Sequence, residues 1–338
     1  MKKFLISIIF IALIIATTPT ISLLNENTSN KNSENINKTF EKVSKLVTIS
    51  DTSKNTVNPK DDFFNIYDKS TDKVLKVSKE EFCCNALITQ VEEDYPVEAM
   101  KALAITINTY YSYIKANDKS DNKQYDFECN SKVWDIYVST EQIKEKLGDT
   151  FNDTYNIFKK TVKQIKNKLI YYNNKVCITP FFEISSGTTN SYKEIYGKDI
   201  PYLTNTPSPF DKTANNYKTT TVITKEELDS IFSDTIKNYN KNNHQISEIK
   251  KNNYGTVLSL KIGDNTINGI DFYNSLKLRS NCFDIKQDDD KCTITTYGYG
   301  ENIGLSKYGA SQLAKQGYSY EEIIKYYFCD TDIISNTK

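Results

Sequence analysis

Three glycines fall within seven residues near the end of the chain, at Gly298, Gly300 and Gly304, and a helix-forming run follows at once. This stretch constrains the fold more than any other. Glycine takes positive φ at no steric cost and lets a second backbone approach closely. The segment therefore predicts a glycine-rich turn feeding a helix. Residues 306–316 and 320–328 read as the last two helices, with Gly317 between them as a C-terminal cap.

Elsewhere the apolar periodicity predicts an α+β fold, mixed helical and antiparallel β-rich. Residues 78–91 read as a helix, and Pro96 starts a second at the first helical position, where its missing N–H costs nothing. Met100, Leu103, Ala104, Ile107, Tyr111 and Ile114 then recur at helical spacing and predict one buried stripe. Residues 154–168 read as a third helix. Residues 169–172 and 176–182 predict a hairpin turned by Asn173-Asn174, residue types that tolerate positive φ. Residues 224–232 form a short helix with a capping-box spacing between Thr224 and Glu227. Residues 253–296 are strand-rich, with turns at Gly263-Asp264 and at 288–290.

Composition mainly excludes. The 43 basic and 43 acidic residues of this 338-residue chain cancel, so no net field points to nucleic acid. The 24 tyrosines suit a surface that meets polar polymers, or equally the codon usage of an AT-rich genome. His244 is the single histidine, which excludes a metal centre built on several imidazoles. A nucleophile–histidine arrangement would have to use His244 in what reads as a solvated loop. The seven cysteines are Cys83, Cys84, Cys129, Cys177, Cys282, Cys292 and Cys329, with no C-x-x-C pair. An odd number leaves at least one thiol unpaired in a monomer. Cys282 and Cys292 flank a hairpin tip and could face each other across it.

Met1-Lys2-Lys3 precedes an apolar run from Phe4 that is interrupted at residues 17–20 and resumes to Leu24. A charged start and an apolar core mark an export signal. No small-x-small cleavage site stands out, and the 21 residues from Phe4 to Leu24 are enough to cross a bilayer. A retained anchor is expected over a cleaved signal peptide. The early lysines, with none until Lys31, place the N-terminus inside and the body outside. Residues 1–24 are thus the signal or anchor, 25–60 an Asn/Ser/Lys/Thr-rich flexible stalk, and 61–334 the folded domain.

Three stretches, in order, carry a resemblance to a known family. Glu98-Ala99-Met100-Lys101-Ala102-Leu103-Ala104-Ile105 is similar to E-A-L-K-A-Q-A-V. Ile184-Ser185-Ser186-Gly187 with residues 188–191, then Tyr196-Gly197, Pro201-Tyr202-Leu203 and Pro207-Ser208-Pro209-Phe210-Asp211, is similar to S-S-S-G-G-x-T-E-N-S, W-G, P-Y-L and S-P-W-D. Gly298-Tyr299-Gly300-Glu301-Asn302-Ile303-Gly304-Leu305-Ser306-Lys307-Tyr308-Gly309-Ala310 is similar to G-Y-G-H-G-V-G-M-S-Q-Y-G-A. The chain resembles the SpoIID/LytB family over about Phe82 to Asp332. Active members resemble lytic transglycosylases, which cleave the glycan strands of peptidoglycan and leave an anhydro-sugar end. One carboxylic acid suffices for this. It protonates the leaving oxygen, then takes the proton of the sugar's own hydroxyl.

The resemblance puts that acid eight residues before the glutamate of E-A-L-K, and eight before Glu98 stands Gln90. An amide can hydrogen-bond a sugar but cannot donate and reclaim a proton near neutral pH. Glu93, about 60° away around a continued helix, could approach if the helix end loosens. Glu301, in place of the family's histidine, and Glu183, just before the Ser185-Ser186-Gly187 turn, are further candidates for a displaced acid. Two carboxylates in one cleft would raise each other's proton affinity. Asn108 stands where the family has an arginine. The family's zinc-associated C-D-x-x-H-C-Q-x-Y reads here Cys129-Asn130-Ser131-Lys132-Val133-Trp134-Asp135-Ile136-Tyr137. Cys129 is the one surviving ligand position, so zinc is not expected and no cofactor is implied. Trp134 is left to core packing or to stacking on a sugar.

The resemblance implies a membrane-anchored, extracytoplasmic sporulation protein of the cell envelope or septum. It would bind peptidoglycan glycan strands and cleave them weakly or not at all. Ser185, Ser186, Gly187, Thr188, Asn190, Tyr202, Asn108, Tyr110, Ser306 and Tyr308 are the glycan contacts it implies around Gln90. Engulfment proteins such as a SpoIIP-type amidase are the implied partners, and nucleic acid is not. The alternatives are an active enzyme using Glu93, Glu301 or Glu183, and a structural envelope protein without glycan contact.

Overall fold

The computed structural model describes residues 61–118, 124–236, 239–241, 243–288 and 290–335. The anchor and stalk expected over residues 1–60 lie outside the described residues. Among the described residues no helix is long and apolar enough to cross a membrane. The architecture is α+β, as the periodicity predicts.

Strands β1 (Phe63–Asp68) and β2 (Lys73–Ser78) pair antiparallel. Ser78 then caps α1 (Lys79–Gln90), its hydroxyl accepting from the Glu81 N–H. The long helix α2 (Val97–Asn117) follows. Pro96 precedes its first residue rather than occupying it, with φ at −56°, close to the value proline imposes. β3 (Phe127–Cys129) joins β1 in parallel. α3 (Thr140–Leu147), not anticipated from periodicity, opens on a capping box of Ser139 and Gln142. α4 (Phe151–Gln164) ends earlier than the apolar pattern suggests. Asn167 takes φ +61°, and Lys168 already opens β4 (Lys168–Tyr172).

β4 turns through Asn173 and Asn174, at φ +49° and +62°, into β5 (Lys175–Val176). The second arm of that hairpin stops there. Pro180 has no N–H to give a ladder, and the following β6 (Phe181–Phe182) belongs to another sheet. α5 (Tyr192–Tyr196), β7 (Lys218–Thr224) and α6 (Lys225–Thr235) come next, and Thr224 and Glu227 form the expected capping box. β8 (Ile246–Lys251), β9 (Val257–Ile262) and β10 (Asn265–Asn268) make an antiparallel sheet. α7 (Gly269–Ser275) interrupts the strand-rich stretch. β11 (Phe283–Gln287) and β12 (Lys291–Tyr297) pair with each other, and β12 with β7. The register sets Cys292 opposite Gln287, while Cys282 precedes the Phe283–Thr296 pair at the far end. These two thiols therefore do not face each other, and all seven cysteines are free. His244 lies partly buried beside β11, where its carbonyl accepts from the Gln287 amide at 3.1 Å.

β13 (Leu305–Ser306) runs parallel to β6, and α8 (Lys307–Lys315) begins immediately after it. Gly317, at φ +92°, separates α8 from α9 (Tyr320–Tyr327), and β14 (Asp332–Ser335) closes on β4. α1, α4, α8 and α9 pack around α2. Burial of α2 therefore extends well beyond the expected stripe, to residues such as Thr106 and Thr109. A second core lies between β7, β9, β11, β12, α6 and α7. A third cluster of Ile184, Ala214 and Tyr299, with Tyr217 and Tyr308 against it, forms where the chain crosses between the two.

Candidate functional site

The glycine-rich segment lies flat on the strand that leads out of β6. A Cβ on Gly304 (φ +86°) would stand 2.1 Å from the Pro180 carbonyl oxygen, and one on Gly300 (φ +116°) 2.6 Å from Phe182 Cβ. Any side chain there would push the two backbones apart. Ile184 and Tyr299 exchange main-chain hydrogen bonds of 3.1 and 2.6 Å across this contact. The Ser185-Ser186-Gly187 turn is thereby fixed beside the start of α8.

The serines of both motifs converge on Asp211, which is fully buried. Ser185 Oγ donates to its Oδ2, and Ser306 Oγ to its Oδ1 at 2.9 Å. Ser306 Oγ also accepts from the Gly309 N–H at 3.1 Å, capping α8. Burial pushes the Asp211 carboxyl up, opposed by the hydroxyls of Ser185, Ser208 and Ser306. Asn302, held at φ +60°, accepts from the Ser186 N–H at 2.7 Å and donates to Asn281 Oδ1 at 2.8 Å. Asn190 donates to the Glu301 carbonyl at 3.2 Å and accepts from Thr256 Oγ1 at 2.9 Å. Ser185, Ser186, Asn190 and Ser306 are all buried, so their polar groups serve the fold rather than a surface.

A different cluster forms around Gln90. This residue closes α1, where the last carbonyls have no helical partner and the helix dipole favours a cation. Lys307 supplies one. Its Nζ donates to the Gln90 carbonyl at 3.0 Å and to Gln90 Oε1 at 3.1 Å, and it is ion-paired with Glu183. Lys307 is 4% exposed, whereas the Glu183 side chain is 40% exposed. Glu183 reaches this place because β6 runs beside β13: its carbonyl accepts from the Tyr308 N–H at 2.9 Å. Tyr95 donates to the Lys307 carbonyl at 2.5 Å. Burial, then the charge of Glu183, pushes the Tyr95 phenol well up.

The other candidate acids lie elsewhere. Glu93 is exposed and accepts from Thr154 Oγ1 of α4 at 2.5 Å, so it is engaged with that helix and not with Lys307. Glu301 is 5% exposed and accepts from Tyr196 OH at 2.7 Å. Its neighbours include Tyr110 and Tyr192, whose phenols burial and this carboxylate both push up. Asn108 lies well along α2 from Gln90. It lines a cavity of about 660 Å³ with Lys79, Cys83 and Cys84 from the start of α1. Tyr202 OH accepts from the Ile178 N–H at 2.9 Å within the core. Gly187 is buried against Lys212. Of the expected glycan contacts only Thr188 and Tyr308 keep partly exposed surface, with the more exposed Phe210 three residues before Thr213, whose hydroxyl lies 3.2 Å from that of Tyr308.

The stretch similar to a zinc site does not fit the metal. Cys129 is buried, and burial, then Asp68 and Asp135, push its thiol up. Asp68 is already occupied by Ser70, Thr71 and Ser131. Among the described residues no group of three His, Cys, Asp or Glu side chains is placed to hold an ion. Trp134 is neither core nor bare: it sits partly exposed, in a left-handed conformation, with Lys146 Nζ 3.7 Å above its ring.

Lys307 and Asp211 are the two residues missed from sequence. Both had a signal: Lys307 replaces the glutamine of M-S-Q-Y-G-A, and Asp211 is the acid of S-P-W-D.

The family model described as SpoIID, stage II sporulation protein, matches residues 67–172, which run from β1 through Gln90 and α2 to β4. Stage II sporulation protein D of Bacillus subtilis (strain 168) is 26% identical over 269 residues, covering 79% of this chain and 78% of its own. That of Bacillus amyloliquefaciens is 27% identical over 270 residues, covering 79% and 77%. The amidase enhancer of Bacillus subtilis (strain 168) is 24% identical over 244 residues, covering 56% of this chain and 34% of its own. The family model covers the Gln90 region, and together with the long matches it makes the chain similar to the SpoIID family.

Proposed function

We propose that this protein has a SpoIID-like role in sporulation, in which it binds the glycan strands of peptidoglycan and cleaves them poorly or not at all. The amide at the acid's place supports this most directly. Gln90 closes α1, with its side-chain oxygen taken by Lys307. A carboxamide cannot supply the leaving oxygen with a proton. Glycan would meet the exposed margin of the cluster, at Glu183, Thr188, Tyr308 and Phe210. In this proposal the body is extracytoplasmic, held by residues 4–24, and works without zinc. The likeness to a protein named an amidase enhancer makes a peptidoglycan amidase the proposed partner class.

Pelleting on purified sacculi, followed by a muropeptide digest, tests it. The expected result is co-sedimentation without anhydro-muropeptides. Failure to pellet would favour a structural envelope protein. One observation favours a second reading: the Glu183 carboxylate is half exposed at the open edge of the Gln90 cluster. If Glu183 is a displaced acid, the wild type releases anhydro products and Glu183→Gln abolishes them.

A further inference from the structure

We infer that Lys307 is an internal lock on this site, which would hold a carboxyl group at residue 90 ionised and so out of use as an acid. The inference rests on Gln90 occupying the acid's place. An ammonium has three donors, and Lys307 spends them on the Gln90 carbonyl, Gln90 Oε1 and Glu183. It has little freedom to leave, being 4% exposed at the first position of α8.

A lytic acid must carry its proton when the leaving oxygen needs it. A carboxyl within hydrogen-bond reach of a cation gives up that proton instead. A carboxyl placed at residue 90 would be in this position, because Lys307 Nζ already lies 3.1 Å from the Gln90 side-chain oxygen. Restoring the acid by Gln90→Glu alone therefore leaves the site silent. The lock opens only when Lys307 is also changed to the glutamine that the family motif carries there. The carboxyl at residue 90, freed of the ammonium, would then hold its proton to higher pH. The charged and titratable groups facing residue 90 are Lys307, Glu183 and Tyr95, with Asp211 and Tyr327 acting on Tyr95.

The test is a pH titration of the side-chain carboxyl introduced at residue 90, followed by carbon NMR with labelled glutamate, in Q90E, Q90E/K307Q and Q90E/K307R. The midpoint should rise by about 1–3 pH units from Q90E to Q90E/K307Q, the range expected for loss of one adjacent charge. It should stay low in Q90E/K307R. Q90E/K307M gives the same reading should glutamine at 307 fail to fold. Equal midpoints with and without the cation overturn the lock, as do anhydro-muropeptides released by Q90E with Lys307 in place. The titration is independent of glycan binding. A wild type that fails to pellet with sacculi defeats the wall-binding proposal and leaves the titration result standing.

Discussion

Ser306 and Lys307 are neighbours in one motif, yet their side chains enter two quite different environments. Ser306 joins a sealed network in which Asp211, itself fully buried, takes the hydroxyls of Ser185 and Ser306. Lys307 joins a cluster that is closed on the Gln90 side and half open at Glu183. The sealed network has no face left for a ligand, so its polarity ties the glycine-rich turn to α8. The open cluster has a carboxylate that solvent reaches, so its polarity is available for recognition. Adjacent polar residues can thus divide between scaffold and chemistry, and burial decides which.

The largest effect should come from breaking the sealed network. Asp211→Ala leaves two buried hydroxyls without their charged acceptor, at about 1.5–3 kcal/mol each. A loss of about 3 kcal/mol or more is expected, a fall in Tm of roughly 6–12 °C by thermal denaturation. Ser185→Ala and Ser306→Ala should each cost about 1 kcal/mol. The double variant should depart from additivity because both hydroxyls share one carboxylate.

Asp211 also carries a pH signature. Its carboxyl is pushed up in the folded protein, chiefly by burial, from the ordinary aspartate value of 3.8. A raised value means that the folded state favours the proton. The resulting stability is fully present below the unfolded value and is lost as pH rises through the folded one. Asp211→Asn lacks this dependence. Its Tm relative to wild type should therefore become more favourable as pH rises from 3 to 7, and a constant difference would show that the carboxyl titrates alike in both states.

These contrasts mark what the sequence could and could not reveal. The helix that carries Gln90 and the stripe from Met100 to Ile114 follow from local periodicity, because neighbours three and four residues apart decide them. The Asn173-Asn174 turn follows from backbone preference alone. The pairing of Phe181–Phe182 with Leu305–Ser306 has no local signal, since a short strand does not announce a distant partner. The site divides in the same way. The position of Gln90 is legible by counting back from Glu98, but its contact with Lys307 spans 217 residues. Ser185 and Asn190 look like glycan contacts in sequence. A hydroxyl or amide suits a sugar and a buried carboxylate equally, and only tertiary packing separates the two.

A smaller effect should follow from opening the exposed cluster. Lys307→Gln removes the cation from the end of α1 but leaves a Glu183 that water can solvate, so little is stranded. A cost of about 1 kcal/mol is expected, or roughly 2–4 °C in Tm. That would be well under half the effect of Asp211→Ala. Similar losses for the two variants would mean that the open cluster is as structural as the sealed one.

The smallest change in stability should accompany the clearest change in binding. Tyr308 is partly exposed, with its hydroxyl 3.2 Å from Thr213 Oγ1, and Phe210 is 39% exposed. If glycan lies along this margin, each ring offers a face to a sugar, and an aromatic contact of this kind contributes about 0.5–1.5 kcal/mol. Tyr308→Ala or Phe210→Ala should then lower the affinity for sacculi about 2- to 10-fold by sedimentation, with Tm within about 2 °C of wild type. Ser185→Ala, once folded, should bind as wild type does, because its hydroxyl points at Asp211. The reverse outcome, in which Ser185→Ala loses binding at unchanged stability while both ring variants keep it, would move the glycan face into the network described as sealed.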